Sequence, residues 1–200
     1  MKKATRLYLA RHGQVQGYDN FPVYGHTDVE LTEVGLLQME HLAGRLRLAE
    51  IHAVYSSDLK RTLTGARIIA RHHDVPITAM PQFREVYFGD WEGKSFLEIR
   101  THFPGLLTRR EADLLNFEPP GGGESIGQLA GRVMDSLKDV LEKNEEKNIL
   151  LVAHGAVNRV ILCNALGLEL KRMFSLQQDY GCLNIIDYFP DRTLVRLMNG

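Results

Sequence analysis

Two short apolar runs in this chain stop at the same dipeptide. Leu7-Tyr8-Leu9-Ala10 leads into Arg11-His12-Gly13, and Leu150-Leu151-Val152-Ala153 leads into His154-Gly155. Runs that are apolar at every position read as strands buried on both faces of a parallel sheet. Val54 to Ser56 and Pro76 to Ala79 read as two more short strands. Between them the apolar spacing is helical. Thr32 is placed to cap a helix through about Leu48, with Val34, Leu37, Leu42 and Leu46 on one face. Asp58 is placed to cap a second helix to about Arg71, with Leu59, Leu63, Ala66 and Ile69 inward. Ser125 and Gln128 have capping-box spacing and open a third, to about Lys143. Ile149 to Ala153 is the next strand, and Ala156 to Leu166 the next helix, closed by Gly167. Leu183 to Tyr188 and Leu194 to Met198 flank Pro190-Asp191 as a hairpin at the sheet edge.

Strands alternating with helices predict an α/β fold. The expected form is a three-layer sandwich: a mostly parallel central sheet, helices on both faces, and an antiparallel edge hairpin. A length of 200 residues suits one domain spanning 1–200. Two segments break the pattern. A loop from Gln14 to Glu30 is rich in Gly, Asp, Asn and Pro. From Ser95 to Pro120 a short helix through Ile99 is expected, with Pro104 interrupting or restarting helix beyond it. That segment lies between the chemistry-bearing motifs and is expected to form a lid or pocket wall.

The formal net charge is -1, so no strong field draws the chain to nucleic acid or to an anionic membrane. The basic pairs Lys2-Lys3 and Arg109-Arg110 are too short to change that. Two cysteines, Cys163 and Cys182, read as reduced thiols of a cytoplasmic protein. Met1-Lys2-Lys3 does not open a convincing signal peptide, and no run is long enough to span a membrane. The oligomeric state is not legible.

The candidate chemistry gathers at strand ends. Open α/β sheets bind ligands past the carboxyl ends of their strands, where both His-Gly pairs fall. The glycines permit a sharp turn or the close approach of a ligand. Two histidines and Arg11 there make a phosphate site, with one histidine free as nucleophile. Arg61 falls in the first turn of the helix after Ser56-Ser57-Asp58, where the helix N-terminus favours anions and a guanidinium binds phosphate in bidentate fashion. The segment Phe83-Arg84-Glu85-Val86-Tyr87-Phe88-Gly89-Asp90-Trp91-Glu92-Gly93 adds carboxyls in an irregular, partly buried setting. A carboxyl beside a bound phosphate is expected to have a raised pKa, which suits a general acid. Periodicity does not choose among Glu85, Asp90 and Glu92.

Together these residues resemble the histidine phosphatase superfamily, the phosphoglycerate mutase-like group. Arg11-His12-Gly13, Ser56 to Thr62, Glu85 with Phe88 to Gly93, and Ala153-His154-Gly155 match in order. Gly25-His26-Thr27-Asp28, Leu31-Thr32, Gly35 and Pro119 to Ser125 extend the match over nearly the whole chain. The resemblance is closest to the small cofactor-independent phosphatases, among them the α-ribazole phosphatase of cobalamin biosynthesis. It implies that His12 forms a phosphohistidine and that Arg11, Arg61 and His154 hold the phosphoryl oxygens. Glu85 then protonates the leaving oxygen and later accepts a proton from water. No cofactor and no metal are implied, since two guanidinium groups and a second histidine supply the charge. His12 must attack as neutral imidazole, with its other ring nitrogen donating to a backbone carbonyl.

The chain departs from the family after Gly13. Many relatives read Glu-Thr there, with an Asn further on; here the run is Gln14-Val15-Gln16-Gly17-Tyr18. Gln14 or Gln16 is a candidate donor to the phosphate. A mutase of the same family would need extra covering segments to keep water off its intermediate. The modest insert between Glu85 and Ser125, and a chain stopping after its last strand, favour a phosphatase. A metal hydrolase built on His12, His154, Glu85 and Asp58 lacks the usual ligand spacings. A non-catalytic phospho-ligand module would lack the nucleophile or the acid, and neither is missing. The remaining histidines, including His26, His41, His72 and His73, read as surface or packing residues. The expected partner is a small phosphorylated metabolite. The loop from Gln14 to Asp28 holds no Lys or Arg, which predicts a monoester with an uncharged remainder, such as α-ribazole 5′-phosphate, or else a sugar phosphate.

Overall fold

A computed structural model describes residues 3–20 and 22–200. Met1 and Lys2, with the signal-peptide and basic-pair readings that involve them, lie outside the described residues, as does Phe21 of the loop. The strands are β1 (Thr5–Arg11), β2 (Ala53–Ser56), β3 (Ile77–Ala79), β4 (Asn148–Ala153), β5 (Leu183–Tyr188) and β6 (Thr193–Leu197). The helices are α1 (Glu33–Leu46), α2 (Lys60–Ala70), α3 (Phe96–His102), α4 (Leu106–Ala112), α5 (Ile126–Lys143) and α6 (Gly155–Leu166).

The strands form one sheet in the order β3-β2-β4-β1-β5-β6. The first four run parallel; β5 and β6 add antiparallel at one edge as the expected hairpin. The two His-Gly strands, β1 and β4, are neighbours in the middle. Arg11 pairs with Ala153 in the final register position, so His12 and His154 leave the sheet side by side.

Period-2 alternation splits each central strand between two cores. Leu7, Leu9, Ile149, Leu151 and Ala153 pack with Leu129, Val133, Leu137, Val157 and Ile161 of α5 and α6. Tyr8, Ala10, Val54, Leu150 and Val152 face the other way, onto Met39, Leu42, Leu46, Ala66 and Ile69 of α1 and α2. This gives the three layers. Strands apolar at every position are the ones that must satisfy both faces.

Several local signals hold. The Thr32 side chain accepts from the Gly35 N–H, and the capping box at Ser125/Gln128 forms; a second box, Ser95/Glu98, opens α3. Gly167 ends α6 in the left-handed conformation. Pro104 lies between α3 and α4, and α4 itself carries no strong sequence signal.

Two expectations fail. Val34 and Leu37 are 50% and 68% exposed; α1 buries Gly35, Met39, Leu42, Ala43 and Leu46 instead. The phase is set by backbone contact. A Cβ on Gly35 would lie 2.1 Å from the Gln14 carbonyl oxygen, and one on Gly13 would lie 2.2 Å from that of Gly35. Gly13 is therefore required by the close approach of α1. Asp58 also does not cap α2. Its carboxylate is held by Arg84 at 2.6 and 2.5 Å, and the Lys60 N–H donates to Asp28 Oδ1 at 2.7 Å from the preceding loop.

The two glycines of α1 should respond oppositely to alanine. Gly35→Ala meets backbone and should cost about 1–3 kcal/mol or more, as overpacking does. Gly44 has open space around its Cβ position, so Gly44→Ala should stabilise by about 0.5–1 kcal/mol. Urea unfolding midpoints measure both; equal effects would show that close approach does not set the phase of α1.

Candidate active site

The ends of β1 and β4 open into a cavity of about 420 Å³. Arg11, His12, Arg61 and Glu85 all line it. His12 is nearly buried, and its Nδ1 lies 2.7 Å from the Gly13 carbonyl oxygen. A carbonyl only accepts, so Nδ1 carries the hydrogen and the Nε2 lone pair is free. This is the arrangement that nucleophilic attack by His12 requires.

Arg61 is 1% exposed. Its Nη1 donates to the Thr27 carbonyl at 2.7 Å, Nη2 to the Gly25 carbonyl at 2.6 Å, and Nε to His154 Nδ1 at 3.3 Å. None of these acceptors is a carboxylate. The loop that supplies the carbonyls is fastened by Glu92, which accepts from the N–H groups of Gly25, His26, Thr27 and Phe88 and from the Thr27 hydroxyl. Burial opposes the charge on Glu92, yet the bonds from Thr27, Phe88 and His26 hold its pKa below the usual carboxylate value.

Arg11 is positioned differently. Its Nη1 donates to the Gln178 carbonyl at 2.6 Å and its guanidinium lies 3.9 Å from the Tyr180 ring centroid. Its Nε is buried with no hydrogen-bond partner among the described residues. The Gln178 side chain is locked in a buried amide network, exchanging bonds of 2.8 and 2.9 Å with Asn184 and accepting from Asn158 at 3.2 Å. Asn184 also donates to the Leu9 carbonyl, which ties the network to β1.

The His154 ring centroid lies 5.2 Å from that of His12. Both its nitrogens have protein partners: Nδ1 accepts from Arg61, so Nε2 bears the hydrogen and donates to Ser57 Oγ at 2.8 Å. Burial first, then the charges of Arg61 and Arg11, push both histidines well below the ordinary value of 6.5. Both rings are therefore neutral near pH 7.

Of the three carboxyls left open by the sequence, only Glu85 lines the cavity. Glu92 is committed to its loop, and Asp90 is exposed. Glu85 accepts from its neighbour Val86 N–H at 2.9 Å and from Ala156 N–H at the start of α6 at 3.0 Å. Its own carbonyl accepts from Arg132 Nη2 at 3.0 Å, and Arg132 also gathers the carbonyls of Gln82 and Arg84. Glu124 pairs with Arg132 and bonds back to Tyr87. The glycine run before Glu124 is a turn, with Gly121 and Gly122 at positive φ.

Gln14 is turned elsewhere. Its side-chain carbonyl accepts from the Thr32 hydroxyl at 2.8 Å, and it does not line the cavity. The segment 95–120 contributes Phe96 and Arg110 to the pocket wall. The sequence reading missed Tyr180, Phe174 and Arg159. The first two lie in irregular segments without periodicity; Arg159 reads as an ordinary helix charge. The ground for expecting an uncharged remainder is weakened. The loop from Gln14 to Asp28 does lack cations, but Arg110 and Arg159 reach the cavity from α4 and α6.

Comparison with known proteins agrees with this geometry. Residues 7–200 match the histidine phosphatase superfamily (branch 1). The chain is 35% identical over 161 residues to a metal-independent phosphoserine phosphatase of Arabidopsis thaliana, covering 80% of this chain and 68% of that one. It is 27% identical over 204 residues to the adenosylcobalamin/α-ribazole phosphatase of Escherichia coli, covering 98% and 96%. The crystal structure of the α-ribazole phosphatase from Shigella flexneri superposes with a TM-score of 0.90 at 26% identity, covering 98% and 96%. The neutral histidine pair, the paired guanidinium groups and the match over β1 to the end of the chain lead to one conclusion: this protein belongs to the histidine phosphatase superfamily, as a phosphoric monoester hydrolase.

Proposed function

We propose that the protein hydrolyses a small phosphomonoester through a phosphohistidine on His12, without a metal. One observation carries this reading. The free Nε2 of His12 faces a cavity shared with two guanidinium groups that have no carboxylate partner, and with one carboxyl, Glu85.

The substrate's phosphoryl group enters as the missing anion. Arg11 and Arg61 neutralise its oxygens, which is most of what phosphoryl transfer asks of a protein. His154, whose Nδ1 accepts from Arg61 Nε and whose Nε2 donates to Ser57, steadies that guanidinium beside the phosphoryl group. His12 Nε2 forms a bond to phosphorus as the bond to the leaving oxygen breaks. Glu85, as the carboxylic acid, gives its proton to that oxygen. In the second half the Glu85 carboxylate takes a proton from water, the water oxygen attacks phosphorus, and the P–N bond breaks. Inorganic phosphate leaves and His12 is neutral again.

The relatives' names offer two kinds of leaving alcohol, that of α-ribazole and that of serine. A cation-free loop by itself favours the first. Arg110 and Arg159 remove that ground.

His12→Ala should abolish turnover, and acid-labile phosphate trapped on the wild-type enzyme should map to His12. Label on His154 would reverse the two roles. Glu85→Gln separates acid from base. Loss of general acid help is worth roughly 10²–10⁴-fold and matters most for a poor leaving group. An alkyl phosphate should therefore suffer severely, while an activated aryl phosphate should show a burst of product followed by slow turnover. Equal losses on both, without a burst, would remove Glu85 from this role.

The neutral histidines also set the pH dependence of stability. Their folded-state pKa values are depressed, so the unfolded chain takes up protons that the native state refuses. Stability should fall as pH drops below about 6.5, by up to about 1.4 kcal/mol per pH unit for each of the two. Urea unfolding across this range should give a shallower slope for His154→Gln than for wild type. Identical slopes would mean that His154 is not held neutral.

A further inference from the structure

The phosphoryl site leaves part of the cavity unexplained. Arg110 of α4 and Arg159 of α6 line the same space, and neither forms an ion pair among the described residues. The reaction proposed above uses Arg11 and Arg61 and leaves this second pair without a role. Its centre is Phe174, an aromatic ring that is 53% exposed yet lines the cavity. The Arg110 guanidinium carbon lies 5.5 Å from the Phe174 ring centroid and that of Arg159 lies 5.7 Å from it. Arg159 is anchored through Nε to the Leu176 carbonyl at 2.8 Å, which leaves its outer nitrogens uncommitted; one of them lies beside Gly155, on the side toward Arg11. The Arg110 side chain has no hydrogen bond among the described residues.

Two cations gathered on one aromatic ring in a half-buried cavity repel each other and lose hydration. Burial does lower the pKa of both. Glu85 and Asp179 act on Arg159, and Glu111 on Arg110, only through space; no carboxylate bonds to either guanidinium among the described residues. Two other arginines of this region are committed: Arg84 to Asp58, and Arg132 to Glu124. An anion delivered with the substrate would offset it, because a guanidinium fork binds carboxylate or phosphate in bidentate fashion.

We propose that Arg110 and Arg159, spaced by Phe174, form a second anion subsite that selects phosphomonoesters whose leaving alcohol carries a negative group. This rests on the reaction proposed above and narrows its substrate class. The shared chemistry is an anionic oxygen group, either a carboxylate or a second phosphate. A neutral nucleoside-like alcohol would leave the two cations unpaired.

The test uses substrates matched except for that charge. Phosphoserine is set against phosphoethanolamine, 3-phosphoglycerate against glycerol 1-phosphate, and fructose 1,6-bisphosphate against fructose 6-phosphate. The wild-type enzyme should prefer the anion-bearing member of at least one pair by about tenfold or more in kcat/KM, expressed mainly in KM. A preference in the first two pairs identifies the group as a carboxylate; one confined to the third identifies a phosphate. Arg110→Gln should collapse the preference toward unity, while Arg109→Gln, whose side chain faces a different surface depression, should keep it. The preference should also shrink as salt is raised. No preference in any pair, or equal losses on both members in Arg110→Gln, would overturn the subsite. Hydrolysis of p-nitrophenyl phosphate with phosphate trapped on His12 separates the two proposals. If that persists while the preference is absent, only the subsite fails; if it is absent too, the reaction itself is wrong.

Discussion

Arg61 is a full positive charge removed from solvent and held entirely by neutral acceptors. Burial of an ion costs several kcal/mol unless its hydrogen bonds are met, and direct pairing with a carboxylate is the usual remedy. Here the carboxylate is kept one peptide away. Glu92 accepts from the His26 N–H, and the carbonyl of that same peptide group, Gly25 C=O, accepts from Arg61; the Thr27 carbonyl, the other backbone acceptor, lies on the loop that Glu92 fastens. The peptide groups pass the compensation along while leaving the guanidinium's field open toward the cavity. That field, with the one from Arg11, adds to burial in keeping His12 and His154 neutral. A carboxylate placed directly on either arginine would cancel the field and would compete for it with the phosphoryl group of the proposed reaction.

The scaffold serves this arrangement at three points. The parallel register of β1 and β4 brings the two histidines out together. The buried amides of Gln178, Asn158 and Asn184 fix the carbonyl that aims Arg11. Arg132, braced by Glu124, gathers the carbonyls of Gln82, Arg84 and Glu85 and so fixes where the Glu85 carboxyl enters the cavity. Each device uses backbone carbonyls as the fixed points, which suits a site that must hold charged groups without neutralising them. Such preorganisation lets the charge act on the transition state without reorganisation of the site.

Much of this was legible in the sequence, and the reasons differ by residue. Strands buried on both faces announce themselves, so the central sheet and the position of His12 and His154 emerged from apolar runs ending in His-Gly. Caps with local partners, Thr32 and Ser125, were legible because donor and acceptor lie three residues apart. Asp58 misled because its partner, Arg84, is distant in sequence, and the true acceptor for α2 comes from Asp28. The phase of α1 misled because Gly35 contributes no hydrophobic signal, although its backbone contact decides which face is buried. Arg110, Arg159 and Tyr180 reach the cavity from segments whose meeting depends on the tertiary fold alone. The charge of the cavity's outer wall could therefore not be read from the loop nearest the nucleophile.

The proposed reaction depends most on the state of His12 in the free enzyme. Nitrogen-resolved NMR of the histidine rings reads that state directly. At about pH 6.5, where an ordinary histidine is half protonated, His12 should be fully neutral. Its hydrogen should reside on Nδ1, bonded to the Gly13 carbonyl, with Nε2 unprotonated. An imidazolium at His12 under these conditions, or a hydrogen on Nε2, would contradict the proposed chemistry, because neither form can attack phosphorus from the cavity side.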